Sequence, residues 1–60
     1  MNYTLTKGSN RVQIRITKDT AEMSQATGGN APTTITVLTP TDAIRKVNEL
    51  IQEGYKAHKH

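Results

Sequence analysis

Residues 36–50, with the sequence TVLTPTDAIRKVNEL, predict a strand that leads directly into a helix. Thr39 is a favoured helix N-cap, and Pro40 follows at the first helical position, where the N–H that proline lacks is not needed. Asp42 comes three residues after the cap, where its carboxylate meets the positive end of the helix. These signals predict that the helix begins at Pro40.

The predicted helix also has an apolar stripe and a defined end. Its apolar residues recur at helical spacing, as in a helix that packs on a core: Ala43, Ile44, Val47, Leu50 and Ile51. Gly54 is placed to end the helix, and Tyr55 can fold back on Leu50 as in a Schellman motif. Start, stripe and end agree on a helix over residues 40–53.

Three segments before the helix alternate between apolar and polar residues, which is the pattern of half-buried β-strands. They are residues 2–6 (NYTLT), 11–17 (RVQIRIT) and 33–38 (TTITVL). Gly8 and Asn10, between the first two segments, tolerate positive φ and favour a hairpin with a short loop.

The rest of the chain shows no regular pattern. Residues 19–32 lack an apolar period and end in Gly-Gly-Asn-Ala-Pro, so we interpret them as a mobile connection, with a frayed strand extension in the first half as the alternative. Residues 56–60 are predicted to form a flexible basic tail. A chain of 60 residues makes one domain at most, so we predict that residues 1–60 form a single small domain.

The predicted fold class is α+β: a three-stranded antiparallel sheet in β-β-β-α order, with one C-terminal helix packed on one face. The sheet side chains predicted to meet the helix are Tyr3, Leu5, Val12, Ile14, Ile16, Ile35 and Val37. Apolar residues make up only 33% of the 60 residues, and Phe and Trp are absent. So small a core is marginally stable, which favours formation of a homodimer.

The composition argues against several classes of protein. The chain has no cysteine, which excludes disulfides and thiolate zinc sites. It shows no secretory signal and no apolar run near the roughly 20 residues of a membrane span, so we expect a cytoplasmic protein without a membrane partner.

Residues that carry chemistry are sparse. Ser9 and Ser24 have no neighbouring base, and the glycines of ATGGNAP, residues 26–32, lack the Lys-Ser/Thr of a P-loop. His58 and His60 lack further nearby ligands, so no metal site is predicted. We therefore expect a non-enzymatic protein with no catalytic residues and no cofactor.

Positive charge is concentrated at the two ends of the sequence. The formal net charge is +3, and residues 1–18 contain no acid. The sheet face opposite the helix is predicted to display Thr4, Thr6, Arg11, Gln13, Arg15, Thr17, Thr34 and Thr36, with Lys7 and Lys18 near its ends. A cationic, acid-free face predicts contact with nucleic acid. An ordinary solvated sheet face carries the same residue types and is the competing interpretation.

DNA is the leading partner predicted for this face. Arg and Gln side chains can bind base edges, and Thr hydroxyls can bind phosphates. The candidate DNA-binding residues are Lys7, Arg11, Gln13, Arg15, Lys18, Thr34 and Thr36. In this interpretation Arg11 and Arg15 contact bases or phosphates, Gln13 contacts a base edge, and the lysines, including those of the tail, bind the backbone.

The predicted order of elements resembles the three-stranded sheet plus helix of plant AP2-type and integrase arm-binding DNA domains. The resemblance covers the order of elements and no motif, and the chain lacks the Trp and dense Arg of those sheets. The alternative function is a protein-binding inhibitor or adaptor, such as an antitoxin-like or phage-type regulator. It would act through a sheet edge or the exposed surface of the helix.

Overall fold

The computed structural model describes residues 1–28 and 34–60. In these residues the chain forms β1 (Asn2–Lys7), β2 (Asn10–Ile16), β3 (Ala21–Thr27), β4 (Thr34–Leu38), α1 (Pro40–Gln52) and β5 (Lys56–Lys59). The five strands form one antiparallel sheet in the order β4-β3-β2-β1-β5. Helix α1 packs on one face and contacts β1, β2, β3 and β5. The predicted α+β class, with an antiparallel sheet and a helix on one face, is confirmed.

The prediction of three strands is wrong, because two further segments pair with the sheet. β3 lies within residues 19–32, predicted as a mobile connection, and β5 lies within residues 56–60, predicted as a flexible tail. β5 follows the helix, so α1 is not the C-terminal element. Residues 29–32 of the predicted connection lie outside the described residues. The resemblance to three-stranded DNA-binding domains therefore does not extend to the whole sheet.

β3 forms because it has a partner strand on each side. Its sequence, AEMSQAT, contains Ala and Glu, which have weak strand preferences. Strands β2 and β4 both pair with it, so both sides of its backbone are hydrogen-bonded. Ala21 and Met23 are buried while Glu22 is exposed, which is the alternation of a half-buried strand.

Two short turns determine the register of the first three strands. Gly8, with φ of 59°, and Ser9 connect β1 to β2, and Gly at the first position suits a type II′ turn. At the next turn, the N–H of Thr17 donates to the carbonyl of Thr20 at 2.8 Å. The N–H of Thr20 donates to Oγ1 of Thr17 at 3.2 Å. Both turns are therefore short and hydrogen-bonded, so the strands that they connect cannot shift their pairing by a residue.

The core lies between α1 and one face of the sheet. It consists of Leu5, Val12, Ile14, Ile16, Ala21, Met23, Ala43, Val47 and Leu50, with Tyr3, Leu38 and Tyr55 packed at its margin. The prediction that Ile35 and Val37 belong to this core is wrong, since they are 70% and 71% exposed. Thr36 pairs with Met23, so Thr36 faces the helix and its two neighbours face away.

The ends of α1 agree with the signals in the sequence. Thr39 is the N-cap, and its Oγ1 accepts a hydrogen bond from the N–H of Asp42 at 3.1 Å. At the other end, the N–H of Tyr55 donates to the carbonyl of Leu50 at 3.0 Å, and Gly54 has φ of 106°. This is the predicted Schellman motif. Within the described part of the chain, no helix is both long and apolar enough to cross a membrane.

The apolar stripe of α1 is narrower than the sequence predicts. Leu50 is 4% exposed, whereas Ile44 and Ile51 are 39% and 47% exposed on one flank of the helix. Ala43 and Val47 complete the buried stripe with Leu50. Only the centre of the predicted stripe is therefore fully buried.

Leu50→Ala and Ile51→Ala form a matched pair that tests this packing. Leu50→Ala should lower the free energy of unfolding by about 2–5 kcal/mol, because it leaves a cavity in the core. Ile51→Ala should lower it by about 1 kcal/mol or less, because half of that side chain is already in water. Urea unfolding followed by circular dichroism measures both. Equal losses would contradict the described orientation of the helix.

Candidate nucleic-acid interface

The face of the sheet opposite α1, called the open face below, is built by all five strands. Residues directly opposite each other on paired strands share a face, so the register places their side chains in rows. The first row contains Lys56, Thr6, Arg11 and Ala26; the second His58, Thr4, Gln13, Ser24 and Ile35; the third Asn2, Arg15, Glu22 and Val37. The three rows differ in chemistry.

The first row is cationic. Lys56 of β5 and Arg11 of β2 lie on either side of Thr6 of β1. Both charged residues are exposed, and two strand spacings separate them by about 10 Å. Side chains as long as Lys and Arg can both reach an anion held above Thr6, whose hydroxyl can also donate a hydrogen bond.

The second row offers hydrogen bonds without permanent charge. Gln13 lies between Thr4 and Ser24, so an amide that both donates and accepts is flanked by two hydroxyls. The row ends at Ile35 on the edge strand β4. Such a row can bind polar groups of many kinds, including phosphate oxygens and base edges.

A groove of about 450 Å³ opens on this face. Its lining residues include Asn2, Thr4, Gln13, Arg15, Glu22, Ser24, Ile35 and His60. The N–H of His60 donates to the carbonyl of Asn2 at 2.8 Å, and its Nε2 lies 2.8 Å from Oγ1 of Thr4. These two contacts hold the last residue of the chain against β1, so the imidazole forms one wall of the groove.

The third row contains the acid of this face. Glu22 of β3 lies directly opposite Arg15 of β2. The prediction of an acid-free face is therefore wrong, because the sequence pattern does not indicate that β3 joins the sheet. Glu22 counters part of the charge of Arg15, so the positive charge that no neighbouring acid counters lies at the other end of the face, at Arg11 and Lys56.

Of the predicted DNA-binding residues, Arg11, Gln13 and Arg15 lie together on the open face, at alternate positions of β2. Thr34 and Thr36 do not join them, because they pair with Gln25 and Met23 on the side of the sheet that faces α1. The cause is the register of β4, which reverses the faces that the sequence predicts for this strand.

The two predicted lysines also lie apart from this group. Lys7 is on the helix side, where its Nζ donates to the carbonyl of Glu53 at 2.7 Å and lies 5.8 Å from the centroid of the Tyr55 ring. Lys18 is exposed in the turn between β2 and β3, beside Asp19. Lys7 therefore stabilises the end of the helix, and Lys18 lies at the margin of the sheet.

The prediction of residues 56–60 as a flexible basic tail misses the place of Lys56, His58 and His60 on the open face. The signal that identifies it is alternation: the three residues are two apart, so a strand presents them on one side. The segment KAHK lacks β-branched and aromatic residues, which makes that signal weak.

A metal centre is not evident in the described residues. Within residues 1–28 and 34–60, no group of three or more His, Cys, Asp or Glu side chains is arranged to hold an ion. His58 and His60 supply two imidazoles on one side of β5, and the nearby Thr4 hydroxyl is engaged with His60.

Comparisons with protein-family models, curated proteins and solved structures find no match to this chain. The open face and the sheet edges are therefore the features of this chain that bear on its function.

The position of Lys7 leads to a test of its structural role. Lys7→Met should lower the free energy of unfolding by about 0.5–1 kcal/mol, because the C-terminal carbonyls of α1 lose a cationic donor. Lys56→Met is the matched control and should change stability less, since Lys56 lies on the open face and not on the helix side of the sheet. Urea unfolding measures both, and equal effects would contradict a capping role for Lys7.

Proposed function

We propose that the protein binds DNA through the open face and that Arg11 and Lys56 hold the phosphate backbone. The observation that supports this most is the cationic first row, in which two cations flank a hydroxyl and no carboxylate intervenes. When Arg15 and Glu22 of the third row are included, the open face carries three cationic side chains and one carboxylate. This excess of positive charge is the pattern of a surface that meets a polyanion.

The width of the sheet favours contacts with the DNA backbone over contacts with base edges. The major groove is about 12 Å wide and admits a helix or a two-stranded ribbon. A sheet of five strands is about 19 Å across at a spacing of about 4.8 Å, so the whole face does not fit into the groove. The face therefore lies across the phosphates, with Thr6 as a further phosphate donor.

Arg11→Ala tests the proposal against a matched control. The change should weaken binding to a mixed-sequence duplex about fivefold, the loss of about 1 kcal/mol, and should reduce the slope of log K against log salt by about one. Arg45→Ala removes the same charge from the outer side of α1, where the Arg45 side chain is 68% exposed, and should change binding much less. Fluorescence anisotropy of a labelled duplex over a range of salt concentrations measures both.

Two outcomes would contradict this use of the face. If Arg11→Ala and Arg45→Ala weaken binding equally, DNA binding depends on the net charge of the protein and not on the cationic row. If duplex DNA at low salt leaves the amide NMR spectrum of the protein unchanged, DNA is not the partner and the face is an ordinary solvated one. The proposal expects salt-sensitive shifts confined to β5, β1 and β2.

The second candidate is a protein-binding inhibitor or adaptor that acts through a sheet edge. It is supported by β4, an edge strand whose Ile35 and Val37 are 70% and 71% exposed. An exposed edge strand can add a strand from another chain through backbone hydrogen bonds. A pull-down with the wild-type chain and with Val37→Lys tests it, since a partner bound at this edge is lost only from the variant.

A further inference from the structure

The two edges of the sheet differ in how they are protected. β5 has four residues and carries Lys56 and Lys59, and a short, charged edge resists pairing with another chain. β4 has five residues, TITVL, without a charge or a proline. Ile35 and Val37 are exposed on it, so among residues 1–28 and 34–60 β4 is the edge that is open to pairing.

The hydrogen-bonding direction of β4 follows from the turns. The N–H of Gly28 donates to the carbonyl of Ser9 at 2.9 Å, and that of Thr17 donates to the carbonyl of Thr20 at 2.8 Å. Hydrogen-bonded pairs alternate along antiparallel strands, so Glu22, Ser24 and Ala26 bond to β2 while Ala21, Met23 and Gln25 bond to β4.

The same alternation assigns the residues of β4. Thr34, Thr36 and Leu38 are opposite Gln25, Met23 and Ala21, so their backbone groups are bonded to β3. The N–H and C=O groups of Ile35 and Val37 therefore point to the free edge. The two exposed apolar residues are thus also the two whose backbone groups are available to a new strand.

We propose that two copies of this chain pair antiparallel through β4, about a twofold axis at Thr36. Ile35 of one protomer then lies opposite Val37 of the partner subunit, and the reverse pair completes the symmetry. Both are hydrogen-bonded pairs, so the available backbone groups of each copy are used. The two five-stranded sheets become one continuous sheet.

A second copy is favoured as the occupant because this edge is complementary to itself. In the proposed register the Ile and Val side chains of both copies meet on the open face, and cross-strand pairs of β-branched residues stabilise a sheet. Each chain carries a net charge of +3, and β4 is an uncharged place at which two such chains can meet without adding like charges to the contact.

The size of the contact indicates a reversible dimer. A stable interface of standard size buries about 800 Å² on each partner, and the pairing of a single five-residue strand offers less. Dimerisation should therefore depend on protein concentration. The cationic row lies on β5, β1 and β2, away from β4, so the proposal does not depend on DNA binding and is tested without DNA.

A cysteine placed on the twofold axis tests the register. The chain has no cysteine of its own. Thr36 would face its copy at a non-hydrogen-bonded pair with Cα atoms about 4.5 Å apart, which is within the range of a disulfide. Thr36→Cys should therefore form a covalent dimer under mild oxidation. Thr34→Cys, on the same strand and face, would lie about 13 Å from its copy and should cross-link far more slowly.

A charge on the edge tests whether dimerisation uses this strand. Val37→Lys should keep the fold, because Val37 is 71% exposed, and should weaken dimerisation about tenfold or more, because a charge enters an apolar contact. Ile51→Lys, on the exposed flank of α1, should leave dimerisation unchanged. Sedimentation velocity over a concentration series measures the dimerisation of the wild type and of both variants, and circular dichroism checks that each is folded.

Three results would overturn the dimer, and a fourth would overturn its register. The first is a wild-type chain that sediments as a monomer at every concentration up to the millimolar range. The second is dimerisation of Val37→Lys as tight as that of the wild type, and the third is dissociation of Ile51→Lys. Equal cross-linking of Thr36→Cys and Thr34→Cys overturns the register.

Discussion

The antiparallel register of β3 with its two neighbours is the constraint on which both faces of this sheet depend. It places Ala21 and Met23 beneath the helix, and it places Glu22 beside Arg15 on the open face. Through the pairing of Thr36 with Met23, it also turns Ile35 and Val37 away from the core. A shift of one residue in this register would exchange the buried and exposed side chains of β3.

The end of the helix has a similar influence on the other side of the molecule. Gly54 adopts a positive φ that allows the chain to turn, and Tyr55 then packs at the margin of the core. Lys7 binds the carbonyl of Glu53 and so ties the turn to β1. After this turn the chain runs antiparallel beside β1 as β5, which brings Lys56 beside Thr6. A local capping motif thereby places one of the two cations of the first row.

The strand order separates the two surfaces to which we assign function. The cationic row is built on β5, β1 and β2, while the unprotected edge is β4, at the opposite side of the sheet. Lys56 on β5 is about 19 Å from β4 and Arg11 on β2 is about 10 Å from it, and both distances exceed the screening length of about 8 Å at physiological salt. Charge at one surface therefore has little influence on pairing at the other, and a dimer would present two copies of the row on one continuous sheet.

The sequence by itself determined the elements whose signals are local: the helix from Pro40 with its caps, the β1–β2 hairpin, and the common face of Arg11, Gln13 and Arg15. Caps, turns and alternation act within a few residues and need no distant partner. Only the tertiary structure decided that Ala21–Thr27 and Lys56–Lys59 are strands, and that Ile35 and Val37 face solvent. These strands have weak intrinsic preferences and form because neighbouring strands supply their hydrogen bonds, and the faces of β4 follow from its pairing with β3.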